Sequence, residues 1–386
     1  MDASTALGLI PTISRSFYGV AAASARALLR WDIMGKAHRR EAAAAASRTF
    51  FERASIREIQ LLMPAAAAEQ AYEAHVKALR EAATTTTAAH AQTPRKPEVV
   101  DLDEGARAFW LGNSKDPKKL ILYFPGGGYC MPALPGHFSL VQKQLDDISS
   151  SSSASGSRGG GGHDDDVGVL FLEYDLAPKS LWPKPLAQAA ALLRYALEDL
   201  RFDPADIVLQ GDSAGAHLAM ALLSHLARGH PEVDRLDMHG GRFSGALFLS
   251  PWSGFGTDYA SYRENTRFDV VSAQALGKWR DNFLGEEDTD TDTDVYSEPA
   301  TAPEGWWAKV PVDSVFVGAG AREVLRDPIL ELYQAMERDM GSKSVQLSLV
   351  EDEFHVEPIT DFGIGVAPGD QYASMTQWLG RTLSTG

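Results

Sequence analysis

One stretch constrains this chain more than any other: Ile207-Val208-Leu209-Gln210-Gly211-Asp212-Ser213-Ala214-Gly215-Ala216-His217. An apolar run passes through a single Gly-x-Ser-x-Gly pentapeptide into an alanine- and leucine-rich run. The pattern predicts a strand over Ile207–Gln210 and a helix over Ala214–Ala227. A strand that turns directly into a helix needs a sharp bend, which lifts the Ser213 hydroxyl above the sheet. The flanking glycines avoid a steric clash there, and the next backbone N–H can face a developing negative oxygen. The pentapeptide alone is a weak signal among 34 glycines. The strand before it and the helix after it single out Ser213 as a candidate nucleophile.

The surrounding texture fits such a bend. Short apolar runs at Ala106–Leu111, Leu120–Phe124, Val167–Tyr174, Ala246–Leu249, Ser314–Val317 and Val345–Val350 read as strands. Helical patterns at Leu186–Leu200, Glu323–Met340 and Tyr372–Leu383 alternate with them. This alternation predicts an α/β class, with a mostly parallel central sheet and helices on both faces. Residues 1 to about 80 read as helical, with Ile56, Ile59, Leu62 and Met63 at helical spacing until Pro64, then a second piece over Ala65–Ala83. Thr84–Pro97 reads as a linker. The expected organisation is an N-terminal helical cap segment and linker over 1–98 and an α/β core over 99–386. Within the core, an insertion at about 252–310, carrying Trp252, Trp279, Trp306 and Trp307, is expected to form a helical cap. The Ser/Gly-rich tract at about 146–166 is expected to be a disordered surface loop.

Charge and composition exclude several classes. The formal net charge is −16, so the average field repels phosphates, and no nucleic-acid partner is expected. No run of about 18 apolar residues exists, so no transmembrane span is expected. The start, Met1-Asp2-Ala3-Ser4, lacks the basic head of a secretory signal. The one cysteine, Cys130, allows no internal disulfide and suits a reducing compartment. A cytoplasmic protein is expected.

Phe124-Pro125-Gly126-Gly127-Gly128-Tyr129 follows an earlier strand. A glycine run there exposes backbone N–H groups able to stabilise a tetrahedral oxyanion. No Gly-Lys-Ser/Thr follows, which argues against a nucleotide loop. Serine also needs a base. Past the insertion the chain holds one histidine, His355, just after the last strand. His217 and His225 fall on the helix after Ser213 and point away from the bend. An acid should follow the strand that ends at Val317. Glu323 and Asp327 are the candidates, and Glu323, nearer the strand end, is preferred.

Together these residues resemble the hormone-sensitive-lipase-like branch (family IV) of the α/β-hydrolases, including fungal esterases and metabolite-pathway hydrolases. The resemblance covers about residues 99 to 386. Its marks are the triple glycine with Tyr129, Tyr174-Asp175-Leu176-Ala177-Pro178, Gly211-Asp212-Ser213-Ala214-Gly215, Ser250-Pro251-Trp252, and the segment from Glu323 to Asp327 ahead of His355. It implies an α/β-hydrolase fold, oxyanion N–H groups from Gly127, Gly128 and Ala214, residue 323 as the acid, and a lid from 1–98 and 252–310. Three positions depart from the pattern. Pro125 replaces a histidine before the glycines, Asp175 replaces an arginine, and Glu323 replaces an aspartate.

The expected function is a carboxylesterase-type serine hydrolase cleaving a small-molecule ester through an acyl-enzyme, in a specialised metabolite pathway, with no cofactor. The same site could instead run deacylation, elimination or cyclisation, or only bind a small molecule. The Asp288–Asp294 repeat lacks the turn glycine and closing glutamate of a calcium loop. His163-Asp164-Asp165-Asp166 abuts a Gly/Ser tract. No metal site is assigned. Cys130, without a positioned partner, reads as a small buried residue.

Overall fold

Strands form in this chain where apolar residues are covered on both faces of one sheet. A computed structural model describes residues 35–85, 96–154, 166–285 and 294–384. Among these, the strands are β1 (Val99–Asp101), β2 (Arg107–Gly112), β3 (Lys119–Phe124), β4 (Val167–Glu173), β5 (Ile207–Asp212), β6 (Gly245–Leu249), β7 (Val315–Gly320) and β8 (Val345–Val350). Their order is β1-β2-β4-β3-β5-β6-β7-β8. β2 runs antiparallel to both β1 and β4, and all other neighbours are parallel.

Side chains alternate between two cores. On β3, Leu120, Leu122 and Phe124 join one cluster, and Ile121 and Tyr123 the other. On β5, Ile207 and Leu209 oppose Val208. The first core continues into helices Lys184–Arg194, Ala214–Arg228 and Arg326–Met340 through Leu186, Leu218 and Ile329. The second continues into helices Pro135–Ala154 and Asp370–Ser384 through Phe138, Met375 and Leu379. Burial on both faces explains why the strands read as unbroken apolar runs. Each buried Leu or Phe contributes about 1.5–3 kcal/mol, so the sheet is a rigid platform for the loops at its edge.

Several expected boundaries change. The loop expected at about 146–166 is helical up to Ala154, as the end of helix Pro135–Ala154. Phe138, Val141, Leu145 and Ile148 recur at helical spacing and are all buried, and serine does not break a helix anchored in this way. Residues 155–165 of that tract lie outside the described residues, as do 1–34, 286–293, which include most of the aspartate repeat, and 86–95 of the linker. The linker's first two threonines, Thr84 and Thr85, are the end of helix Ala67–Thr85. The helix expected from Glu323 starts at Arg326. Pro328 cannot sit deeper in a helix, because its ring would clash with the carbonyl four residues back. Glu323 therefore lies in the turn after β7.

The N-terminal helix Lys36–Arg53 buries only Ala44 along its length. It is held largely by cations. Arg40 reaches the carboxylates of Glu357 (2.6 Å) and Asp361 (2.7 Å) on helix Glu357–Ile364. Arg48 donates to the carbonyls of Arg267 (3.0 Å) and Asp269 (2.9 Å). Lys278 Nζ, from the insertion helix Ala273–Leu284, donates to the carbonyls of Phe51 (2.6 Å), Glu52 (3.1 Å) and Ala54 (2.7 Å). The last contact places a cation at a helix C-terminus, where the macrodipole favours it. The next helix, Ile56–Leu62, starts with a capping box between Ser55 and Glu58. No helix of the described residues is long and apolar enough to cross a membrane.

Candidate active site

The bend after β5 fixes Ser213. Its φ is 51°, in the left-handed region that non-glycine residues rarely adopt. Both flanking glycines are required by contact. A Cβ at Gly215 would lie 1.9 Å from the Phe124 carbonyl oxygen, and one at Gly211 would lie 2.5 Å from that of Gly215. The Ser213 N–H donates to Leu249 on β6 (2.9 Å), and its carbonyl accepts from His217 and Trp252. The side chain is nearly buried.

His355 comes from the turn after β8. Its Nε2 is 2.9 Å from Ser213 Oγ, and its Nδ1 is 3.0 Å from Glu323 Oε2. Glu323 is fully buried, and its Oε1 accepts from the Gly320 N–H (2.5 Å) and the Ser250 hydroxyl (2.7 Å). Ser250 Oγ in turn accepts from the Val356 N–H (3.1 Å), next to His355. Burial alone would pull the His355 imidazole down. The hydrogen bond and charge of Glu323, with the charges of Asp269 and Asp212, outweigh burial and hold it above its ordinary value.

Asp327 does not reach this cluster. Its carboxylate accepts from the Ser261 N–H (2.8 Å) and from Arg326 Nε (2.8 Å). Burial pushes this carboxyl up, but those donors outweigh it and bring it below its ordinary value. Asp352 pairs with Arg322, and Glu353 accepts from the Gln371 N–H, so neither orients His355. His217 is buried, with Nδ1 on the Tyr129 hydroxyl and Nε2 on the Ser297 carbonyl (2.8 Å). His225 bonds Asp234 and His230.

The glycine loop lies against the nucleophile. A Cβ at Gly126 would come 2.3 Å from Asp212 Oδ2 and 3.0 Å from Ser213 Cβ. Gly127 and Gly128 have φ of 130° and 57°, and a Cβ at Gly128 would meet the Trp279 ring at 2.6 Å. Among the described residues, none accepts a hydrogen bond from the backbone N–H of Gly127, Gly128 or Ala214. Donors left unused by the protein are available to a substrate oxygen or to water. Pro125, which replaces the expected histidine, is held by the Tyr174 hydroxyl, which donates to its carbonyl (2.8 Å). Asp175 is paired with Gln188, through its own N–H (2.9 Å) and its carboxylate (3.0 Å). Tyr129 stacks on Phe283 of the insertion (4.2 Å between centroids). Cys130 is buried, and burial pushes its thiol up to about 12. Among the described residues, no group of three or more His, Cys, Asp or Glu side chains could hold a metal ion.

Three contributors escaped the sequence reading. Ser250 had a signal, since it opens the Ser250-Pro251-Trp252 mark. Trp279 was singled out only as one of four insertion tryptophans. Asp269 carried none. It is fully buried, and its carboxylate accepts from the backbone N–H of Val270 (2.7 Å), Val324 (2.7 Å) and His355 (3.1 Å).

A protein-family profile described as the alpha/beta hydrolase fold matches residues 162–358, more than half of the chain. The chain belongs to the α/β-hydrolase fold family. Among curated members similar to it is an acetyl-hydrolase of Streptomyces hygroscopicus, 27% identical over 59% of this chain and 65% of that protein. Another is an arylacetamide deacetylase of Oryctolagus cuniculus, 25% identical over 45% of this chain and 40% of that protein. The chain thus spans less than two thirds of the length of these relatives. Solved α/β-hydrolase structures share the fold. One, an esterase from the bacterial hormone-sensitive lipase family, superposes with a TM-score of 0.62 at 18% identity, covering 91% of this chain and all of that one. Another, carboxyl esterase 2 from the mycorrhizal fungus Tuber melanosporum, gives 0.58 at 18% identity over 80% and 97%. These matches agree with the resemblance read from the motifs.

Proposed function

We propose that this chain is a serine hydrolase that cleaves a carboxylic ester of a small molecule through an acyl-enzyme intermediate. The observation that carries this reading is the buried hydrogen-bonded run from Ser213 Oγ through His355 to Glu323, beside a glycine loop with unused donors. His355 Nε2 takes the Ser213 proton as Oγ bonds to the acyl carbon. The carbonyl oxygen, now negative, accepts from the N–H groups of Gly127, Gly128 and Ala214, each worth about 3 kcal/mol. Glu323 holds Nδ1–H and balances the imidazolium. Collapse breaks the ester C–O bond, and His355 gives its proton to the leaving alcohol. Water then repeats the sequence with His355 as base and frees the acid. This chemistry requires no cofactor.

Residues 1–98 and 252–310 are taken as the cap. Phe51 of the first segment meets Trp279 of the second edge-on (5.3 Å), and Trp279 packs on Gly128. The names of the relatives, acetyl-hydrolase and arylacetamide deacetylase, support a short acyl group. Pro125, Asp175 and Glu323 set the site apart from its branch and support a substrate of specialised metabolism. The single buried thiol suits a reducing cytoplasm.

The test is Ser213→Ala on p-nitrophenyl esters of increasing acyl length, with mass-spectrometric product analysis. The expected outcome is a loss of at least about 10⁴-fold in kcat, with unchanged melting and a preference for short chains. Turnover at the wild-type rate in that variant sinks the reading. A product that has not gained water points instead to elimination or cyclisation.

A further inference from the structure

We infer that Asp269 is a positioning residue that holds the acid loop and the base loop of the site in register. This rests on the reading of Ser213, His355 and Glu323 as the reacting set. Asp269 belongs to the insertion between β6 and β7, and its carboxylate is buried away from solvent. One oxygen, Oδ1, accepts from the His355 N–H, and the other, Oδ2, accepts from the Val324 N–H, next to Glu323. A single planar group thus spans the two loops whose separation sets the Nδ1 to Oε2 distance of 3.0 Å. The residue's own backbone is fixed at both its N–H and its carbonyl. Its N–H donates to the Asn265 carbonyl (3.1 Å), and its carbonyl accepts from Arg48 of the N-terminal helix. Asn265 Nδ2 also donates to the carbonyls of Ala321 (2.9 Å) and Glu323 (2.7 Å). The acid turn is therefore gripped by two neighbours in the insertion.

The charge of Asp269 matters as well as its shape. The titratable and charged groups around it are His355 and Glu323 in the two loops, Tyr262 on helix Ala260–Asn265, and Arg48. Asp212 adds its field at His355. Burial pushes the Asp269 carboxyl up to about 7, against the pull of His355 and the backbone donors. The charge of each group thus bears on the protonation of the other. An ionised Asp269 favours the protonated imidazole.

Asp269→Asn separates these roles from simple packing. An asparagine oxygen can keep the Val270 and His355 donors, but its NH2 then faces the Val324 N–H and releases the acid turn. We expect kcat to fall about tenfold or more, with KM within about twofold, counted per site labelled by a fluorophosphonate. The acid limb of kcat/KM should move to lower pH by roughly one pH unit, because a negative neighbour of His355 is lost. Unchanged kcat per labelled site with an unmoved acid limb overturns the inference while leaving the hydrolase reading intact. A wild-type protein that the probe fails to label overturns both. If Asp269→Asn does not fold, amide hydrogen exchange of the wild type decides. Protection of the His355 and Val324 N–H groups comparable to that of the neighbouring strand amides supports the inference. Exchange of both at the rate of unbonded loop amides overturns it.

Discussion

Glu323→Gln removes one charge and converts one acceptor into a donor, with almost no change in shape. In the protein, Oε1 serves Gly320 N–H and the Ser250 hydroxyl, while Oε2 serves His355 Nδ1. A glutamine must choose between these sides. With its carbonyl at the Oε1 position it keeps both donors there. The reverse orientation sets NH2 against the Gly320 N–H, and an unpaired buried donor costs about 1–3 kcal/mol. The first orientation therefore wins, and the amide NH2 donates to His355 Nδ1. The ring proton is driven to Nε2, where it faces Ser213 Oγ, so the lone pair that must accept the serine proton is gone. The imidazolium also loses its counter-charge. The comparable swap in a well-studied serine protease triad lowers kcat about 10⁴-fold, equivalent to about 5 kcal/mol of barrier. Because the contacts of Oε1 survive, melting should move by only a few degrees. The assay is p-nitrophenyl ester turnover across pH. Glu323 is the main group raising the imidazole against its burial, and the base acts when neutral. The acid limb of the residual activity should therefore move to lower pH. A kcat within about tenfold of wild type, or an acid limb that does not move, refutes this account of the triad.

Two further outcomes follow from the geometry. In Gly128→Ala the new Cβ meets the Trp279 ring at 2.6 Å at a φ of 57°; the loop must shift, and losing one aligned donor should cost about 10²–10³ in kcat with little change in KM, whereas wild-type kcat would show that Gly128 does not hold the oxyanion. Arg40→Met should lower stability by roughly 3 kcal/mol, because it strips the partner from the buried carboxylates of Glu357 and Asp361. The loss should grow with pH. Burial pushes Glu357 up to about 8, above its unfolded value, so the native state weakens as pH rises through that window and weakens more without the arginine. Calorimetric melting at about pH 5.5 and about pH 8.5 reads the difference, and an equal drop at both contradicts the sign.

What could be read from the sequence follows from how local each requirement is. The bend at Ser213 leaves its mark within five residues, because the close approaches of Gly211 and Gly215 permit no other residue there. The alternating strands were legible because each is buried on both faces. His355 could be found by elimination, as the sole histidine beyond the insertion. The choice between Glu323 and Asp327 was harder, since they lie four positions apart and only the helix start at Arg326 separates the turn that holds Glu323 from the first helical turn that holds Asp327. Pro328 sets the helix start between them. Helix Pro135–Ala154 was hidden by its serine tail, although its apolar spacing runs from Phe138 to Ile148. Asp269 was invisible for a physical reason. Two of its partners are backbone N–H groups 55 and 86 positions away, and every non-proline residue offers one.

The same property of backbone groups bears on the N-terminal helix. Arg48 and Lys278 hold it by carbonyl oxygens, which exist whatever side chains surround them. Such a fastening is blind to most of the letters it fastens. With only Ala44 buried along its length, the positions of this helix other than Arg40, Ala44, Arg48 and the Phe50-Phe51 pair that packs against the core make few side-chain demands. Substitutions at its other exposed positions should therefore leave its placement, and the melting temperature, nearly unchanged.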